Sequence, residues 1–407
     1  MIVNKMLTNI LKTKYTGDEI AVLLMVFSIF ISVYAVGVCV VSLVIYLIAS
    51  GRIKEIFFGV KNSLILMLLP AVAIITSAIY GSILEIGIAL GITLIFIAAI
   101  YIRSVMTKNL FDNIIELSCF LSILIFVIAL LQKFILGFDS PKFRSESVFN
   151  NANYYATMIE IVTIFAVYKL IDKNRKYNFP YYIFVLCVNL IGLILAQCRT
   201  AFVVILILVP ILFMLLNKKK YLIIYAGFMV TITALLLIIP EILPRVDSVD
   251  ADIGKRMLIW KAAIKSIESR PLFGGGCLTY PHIYLLYGGI KANHAHNIFL
   301  ESMLNYGIVG TAFALFYFYT NIFEIFKIYI SGIDKERTSL AIVIVFVVLV
   351  HGMLDATVFW PQTGLLVLLI IACSGIYEKD HPMMVTSCQT CNKNVNKNLF
   401  NSLKPRF

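Results

Sequence analysis

Three arginines and two histidines stand beside apolar stretches of the chain, and their side chains could act together on one substrate. Arg144, Arg199 and Arg256 come from separate parts of the sequence, and His294 and His296 lead into an apolar segment. A guanidinium group binds phosphate oxygens through a planar fork and stays charged. Histidine titrates near neutral pH and can take a proton from a hydroxyl. The set therefore suits a substrate with a pyrophosphate and an acceptor with an alcohol.

The elements that must position these side chains are membrane helices. The chain has 407 residues, of which 61% are hydrophobic and 14% charged, and its mean hydropathy is +0.94. Soluble domains are about half apolar and about a quarter charged. The apolar segments are apolar on all sides, whereas strands of a membrane β-barrel would alternate. At about 20 residues for each crossing, we predict an all-α polytopic membrane protein with about 12 transmembrane helices.

The apolar segments are separated by short polar loops. They lie at about 20–35, 36–50, 63–80, 82–101, 111–136, 153–171, 180–197, 200–216, 221–240, 297–330, 339–355 and 362–377. Residues 20–50 form one apolar run that is too long for one helix and short for two. We expect a tight hairpin near Gly37 to divide it.

The distribution of lysine and arginine predicts the orientation. With the N-terminus inside, basic residues concentrate in the inner loops, as at 217–220, and the short outer loops hold almost none. We predict a single integral membrane domain over 1–407, a long extracytoplasmic loop at 241–295 and a cytoplasmic tail at 378–407. The three arginines and both histidines then share the extracytoplasmic side of the cytoplasmic membrane.

The charge balance and the cysteines exclude other classes of site. The formal net charge is +12, but the basic residues sit in loops between helices, so we expect no nucleic acid partner. The eight cysteines show no disulfide framework, although Cys198 and Cys277 map to the same side and could pair. A single C-x-x-C at Cys388 and Cys391 is a weak signal for zinc. We expect no metal and no cofactor.

The long outer loop contains one amphipathic stretch, from Gly254 to Glu268. Such a helix would lie on the bilayer surface, where it would contact membrane lipids and hold Trp260 at headgroup level. The indole could instead stack on a sugar. The apolar stripe, at helical spacing, consists of Met257, Trp260, Ile264 and Ile267.

Several motifs together resemble the O-antigen ligase/polymerase superfamily. They are Arg-Met-Leu-Ile-Trp at 256–260, Pro-Leu-Phe-Gly-Gly-Gly at 271–276, His-Ala-His-Asn at 294–297 and Tyr-Gly-Ile-Val-Gly at 306–310. The ligase pattern is a His, then Asn, Ser or Gln, nine residues, G-x-x-G and then Gly, Thr or Tyr. The residues that fit it are His296, Asn297, Gly307, Gly310 and Thr311.

Two upstream stretches resemble the same family. Residues 149–153 are similar to its Asn-rich helix start, and residues 196–200 are similar to its Ser-Arg stretch, with Cys198 in place of the usual Ser. The hydrophobic profile matches over nearly the whole chain. The specific motifs cover about 256–311.

The resemblance implies metal-independent glycosyl transfer outside the cytoplasmic membrane of a bacterium. The donor would be a glycan on undecaprenyl pyrophosphate, and the acceptor a glycan, lipid or protein. His296 would activate the acceptor hydroxyl, and Arg199 and Arg256 would stabilise the leaving pyrophosphate. The residues expected to contact substrate are Arg144, Asn297, His294 and Trp260.

The residues leave alternatives open. A ligase and a polymerase differ only in their acceptor. A transporter or flippase for a lipid-linked glycan would bind its substrate near the midplane, often between repeats, and no repeat is visible in the sequence. His351 and Asp355, four residues apart near the outer end of a helix, could belong to the site or pair with each other. Gly307 and Gly310 are more typical of helix packing than of chemistry.

Overall fold

The computed structural model describes residues 15–136, 143–171, 179–238 and 249–380, and these residues form helices with no strand among them. In chain order the helices are α1 (Gly17–Ile29), α2 (Val33–Ala49), α3 (Ile53–Gly59), α4 (Ser63–Tyr80), α5 (Ile83–Val105), α6 (Lys108–Leu136), α7 (Ala152–Leu170), α8 (Phe179–Ala196), α9 (Arg199–Leu215), α10 (Lys219–Ile238), α11 (Val249–Ser269), α12 (Tyr280–Ile283), α13 (Ile298–Ser331), α14 (Lys335–Gly352), α15 (Pro361–Ile371) and α16 (Gly375–Asp380). Short 3-10 helices lie at Thr357–Phe359 and Ala372–Ser374. The predicted all-α membrane fold is confirmed.

Six stretches of the described residues are long and apolar enough to cross a membrane. They are α4, α5, α6, α8, α13 and the run from Pro361 to Glu378. The bent pair of α2 and α3, at 99°, would make a seventh, and α9 is a shorter apolar helix. Each predicted apolar segment contains a described helix, but the count of about 12 crossings is not confirmed by length and composition.

The break in the first apolar run lies before Gly37, so the predicted position of the hairpin is wrong. α1 ends at Ile29 and α2 begins at Val33, while Gly37 lies inside α2. Ser32 is the N-cap of α2, and its hydroxyl accepts a hydrogen bond from the Ala35 N–H at 3.1 Å. A serine that satisfies a free N–H is a stronger helix start than a glycine.

Helix α7 is the centre of the bundle. Every side chain from Tyr155 to Lys169 is buried, as expected for a helix surrounded on all sides. Helices α6, α8, α9 and α14 pack around it. Its first turns carry three polar residues one or two turns apart, Asn153, Thr157 and Glu160, which face the end of α14. The central helix thus fixes the position of that end.

A glycine-rich turn at 271–276 docks into a break in α13, the longest described helix. The helix breaks at Gly307, whose φ of 61° and ψ of −168° are essentially restricted to glycine. A Cβ on Gly307 would lie 2.4 Å from the backbone of Leu272. The two segments share four backbone hydrogen bonds: Ile308 N–H to Pro271 O at 2.8 Å, Val309 N–H to Leu272 O at 3.0 Å, Gly275 N–H to Leu304 O at 2.9 Å and Gly276 N–H to Asn305 O at 2.9 Å. This glycine therefore serves packing.

Helix α11 contains the predicted amphipathic stretch and begins earlier, at Val249. The predicted stripe is only partly buried, since Met257 and Ile264 are 45% and 44% exposed, while Trp260 and Ile267 pack against a small core. α11 packs against α13 and α12, and its placement on the bilayer surface stays a prediction. The buried face lies beside the stripe and consists of Ile259, Ala262, Ala263 and Ser266.

Candidate active site

His296 and Asp355 form a hydrogen-bonded pair at the start of α13. The His296 Nδ1 lies 3.1 Å from the Asp355 Oδ1, and Asp355 lies in the turn that follows α14. An ionised carboxylate only accepts hydrogen bonds, so Nδ1 carries the hydrogen and the Nε2 of a neutral His296 keeps a lone pair. The His296 side chain is 24% exposed. Its Nε2 can therefore take a proton from a hydroxyl that enters the site.

The backbone holds His296 in an uncommon conformation. Its φ is 49°, in the left-handed region that few non-glycine residues adopt. Asn297, the next residue, is the N-cap of α13, and its Oδ1 accepts hydrogen bonds from the Phe299 and Leu300 N–H groups, both at 3.0 Å. The Asn297 Nδ2 donates to the Met353 carbonyl at 2.9 Å. Asn297 thus joins the loop of His296 to the turn of Asp355, and its predicted contact with substrate stays a prediction.

Asp355 is buried and surrounded by hydrogen-bond donors. Its Oδ1 also accepts from the Ala356 N–H at 2.8 Å, and its Oδ2 accepts from the Asn153 Nδ2 at 2.5 Å. Burial alone would raise the pKa of Asp355, but the hydrogen bond from His296 lowers that pKa below its ordinary value. Asp355 is therefore ionised and orients the His296 ring.

His294 packs beside the pair. Its ring centroid lies 4.2 Å from that of His296, and its side chain is 12% exposed. The His294 Nε2 is 2.9 Å from the Asp355 Oδ1, but neither ring nitrogen has a partner with hydrogen-bond geometry among the described residues. Burial lowers the pKa of His294, and the charges of Asp355 and Glu301 only partly oppose this. His294 is therefore a neutral ring that shapes the site.

The same three residues are the ones that could hold a metal ion. One ligand atom each from His294, His296 and Asp355 lies within 4.8 Å of the others, and two imidazoles with a carboxylate are ligand types that zinc accepts. The carboxylate oxygens, however, already accept hydrogen bonds from His296, Ala356 and Asn153. These bonds favour a proton-transfer pair, and the independence from metal stays a prediction.

Arg144 binds protein groups behind the pair. Its Nε donates to the Ala196 carbonyl at 2.9 Å, and its terminal nitrogen donates to the Asn153 Oδ1 at 2.5 Å. The structure thus brings Arg144 to the site through Asn153. Its predicted contact with substrate stays a prediction.

Arg199 and Arg256 come together through α11. Arg199, the first residue of α9, forms an ion pair at 2.7 Å with Asp252, one helical turn before Arg256. Arg256 is partly buried, and its charge acts on His351 next to the site. Among the described residues, none forms a hydrogen bond or ion pair with Arg256. Arg256 is therefore the guanidinium best placed to accept an anionic ligand.

Trp260 lies on the packed side of α11. It packs against a small core that includes Ile259, Tyr280 and Leu304. Its indole Nε1 is buried without a hydrogen-bond partner in the described part of the chain. Contact with substrate stays a prediction for Trp260 as well.

The structure gives Asp355 a partner that the sequence did not indicate. His351 pairs with Glu160, at 2.8 Å between Nδ1 and Oε2, and leaves Asp355 to His296. His351 and Asp355 share only a backbone hydrogen bond of 3.0 Å. The available signal was an ionisable residue at the end of an apolar helix, and no spacing rule connects residues 59 positions apart.

An aromatic pair and an apolar cavity adjoin the site, and sequence patterns singled out neither. Tyr154 stacks on Trp360 with centroids 4.7 Å apart, and its ring meets the His294 ring edge-on at 6.4 Å. Trp360 also borders a cavity of about 440 Å³ that follows α13 from Ile298 to Ile322. Among the apolar side chains that line the cavity are Ile92, Phe96, Leu315, Phe318, Val348 and Leu368.

Comparison with known families gives one match, over the middle of the chain. Residues 182–315 match the family model described as O-antigen ligase. The match confirms the resemblance to the O-antigen ligase superfamily. The matched region includes both histidines and two of the arginines, whereas Arg144, Asn153 and Asp355 lie outside it. A search of curated proteins gives no match. The apolar helices and this family together indicate a bacterial membrane protein with ligase- or polymerase-type function.

Proposed function

We propose that this protein transfers a glycan from undecaprenyl pyrophosphate to an acceptor hydroxyl at the outer face of the cytoplasmic membrane. The observation that carries the proposal is the His296–Asp355 pair beside a long apolar cavity. Arg256, which has no partner among the described residues, stands on a neighbouring helix. The outer location rests on the distribution of basic loop residues.

The cavity suits the polyprenyl tail of such a donor. After the break at Gly307, the helix rises roughly 22 Å to Ile322 at about 1.5 Å per residue, a large part of the ~30 Å of a bilayer core. The lining is almost wholly apolar, and its polar members, such as Glu301 and Asn305, cluster at the end near His296. A lipid tail lying along α13 would therefore present its headgroup to the site.

The chemical step follows from the groups at that end. The Nε2 of His296 takes the proton of the acceptor hydroxyl as its oxygen attacks the anomeric carbon. The bond between that carbon and the pyrophosphate oxygen breaks, and the electron pair leaves with the pyrophosphate. Arg256, with Arg199 beside it, stabilises the developing negative charge. Asp355 stabilises the imidazolium that forms. The products are a new glycosidic bond and free undecaprenyl pyrophosphate.

Purified protein in liposomes tests this function. We expect a labelled lipid-pyrophosphate glycan to yield a new glycosidic bond and free lipid pyrophosphate. Donor alone as substrate reports polymerisation, and a separate glycan, lipid or protein acceptor reports ligation. Movement of the donor across the bilayer without any new bond would contradict transfer and support a flippase.

A further inference from the structure

A relay of hydrogen bonds stands behind the catalytic pair. It runs from Arg144 to Asn153 at 2.5 Å, from Asn153 to Asp355 at 2.5 Å and from His296 to Asp355 at 3.1 Å. Its members come from the loop before α7, the first turn of α7, the turn after α14 and the loop before α13. Arg144, Asn153 and Asp355 all lie outside the region that matches the family model.

The chemistry of its two ends fixes the direction of every bond in this relay. A guanidinium can only donate, so Asn153 must turn its Oδ1 towards Arg144 and its Nδ2 towards Asp355. The ionised carboxylate can only accept, so His296 must donate from Nδ1. The proton-free nitrogen of a neutral His296 is then Nε2, the atom that a base in the transfer needs.

We propose that Arg144 and Asn153 are positioning residues that hold His296 in the tautomer required for transfer. The inference rests on the proposed function, because only a base at Nε2 gives this tautomer a use. This role differs from the contact with substrate that the sequence predicted for Arg144. Arg144 acts on His296 through two intervening side chains and does not touch the pyrophosphate.

Asp355→Asn breaks the relay wherever the new amide points. If its oxygen stays towards His296, its NH2 group faces the Asn153 NH2 group, and Asn153 cannot flip because Arg144 holds its oxygen. If its oxygen turns towards Asn153, its NH2 group faces the Ala356 N–H and forces His296 to accept at Nδ1. Each arrangement leaves two donors facing each other in a buried site, which is unfavourable. We expect kcat to fall by roughly 10²–10⁴, as when a histidine loses its orienting carboxylate.

The exchange variant Asn153→Asp/Asp355→Asn restores the directions of all the bonds. The carboxylate introduced on α7 would accept from Arg144 and from the NH2 group of the amide introduced after α14. The oxygen of that new amide would accept from His296 and Ala356. We expect the kcat of the exchange variant to be at least about tenfold higher than that of Asp355→Asn, because residues in direct contact couple strongly. Asn153→Asp alone serves as the control and should be impaired, because it sets two carboxylates against each other.

Arg144→Met separates positioning from substrate binding. A positioning role predicts a lower kcat with an unchanged KM for the donor. A rise in donor KM with an unchanged kcat would show that Arg144 binds substrate, and would overturn the proposal. Thermal unfolding of each variant, measured in the same detergent, shows whether a loss comes from misfolding.

Nitrogen-15 NMR of labelled histidine reports the tautomer without reference to activity. We expect His296 to be protonated at Nδ1 in the wild type and in the exchange variant, and not in Asp355→Asn. If transfer proceeds but the exchange neither recovers activity nor restores the Nδ1 proton, the relay proposal fails and the enzyme assignment stands. If the tautomer responds as expected but no variant transfers a glycan, the relay stands and the proposed function fails.

Discussion

Gly307→Ala places a methyl group where the 271–276 turn enters the break in α13. The added Cβ would lie 2.4 Å from the carbonyl carbon and oxygen of Leu272 and from the nitrogen of Phe273. These are backbone atoms, which cannot rotate away as a flexible side chain could. The turn must therefore withdraw from the helix.

The structure gives the size of the effect on stability. Alanine at the φ and ψ of Gly307 costs about 1–3 kcal/mol in backbone strain. Withdrawal of the turn at Leu272 and Phe273 breaks the two nearest of the four hydrogen bonds, those from the N–H groups of Ile308 and Val309, each worth about 0.5–1.5 kcal/mol. The free energy of unfolding should fall by roughly 2–6 kcal/mol when both contributions apply.

Thermal unfolding in detergent micelles measures this loss. Gly91→Ala is the matched control, because Gly91 lies within helix α5 and its added Cβ meets no described atom within 4 Å. Alanine there should be neutral or stabilising by about 0.5–1 kcal/mol. If Gly307→Ala unfolds at the same temperature as Gly91→Ala, the turn does not dock into the break as described.

Three further outcomes follow from the site and the cavity. Arg256→Ala should reduce kcat/KM by at least about 10²–10³ while the protein still inserts. Arg256→Lys should retain part of the activity, because lysine keeps the charge but lacks the planar fork. Equal activity of Arg256→Ala and wild type would exclude Arg256 from the site. Transfer should survive dialysis against a chelator, and loss of activity that zinc restores would make His294, His296 and Asp355 metal ligands. Ala314→Phe should fill the cavity and raise the KM for a long-chain donor. Ala312→Phe is the control, because Ala312 lies on the exposed side of the same helix, and it should leave this KM unchanged. Equal KM values for the two variants would place the lipid tail elsewhere.

The helices could be predicted because membrane segments depend on local composition. Each apolar segment of the sequence contains a described helix. The errors lie where local patterns compete with capping or packing. Ser32 starts α2 where Gly37 was expected to mark a hairpin, and α11 buries Ile259 and Ala262 beside the expected stripe.

The site could be predicted only in part, because its groups come from distant stretches of chain. His296 and Arg256 were found through motifs that local sequence carries. Asp355 could be seen as a suspect but not as the partner of His296, since that contact depends on how α13 and α14 pack. Charge alone also could not show that Arg144 donates to Asn153.

The transfer rate of His296→Ala, in protein shown to insert and to unfold at the wild-type temperature, tests the central claim most directly. A base at His296 Nε2 predicts that kcat falls by about 10²–10⁴ while the donor still binds. Wild-type kcat in a correctly inserted and folded His296→Ala protein would contradict it and remove His296 from the chemistry.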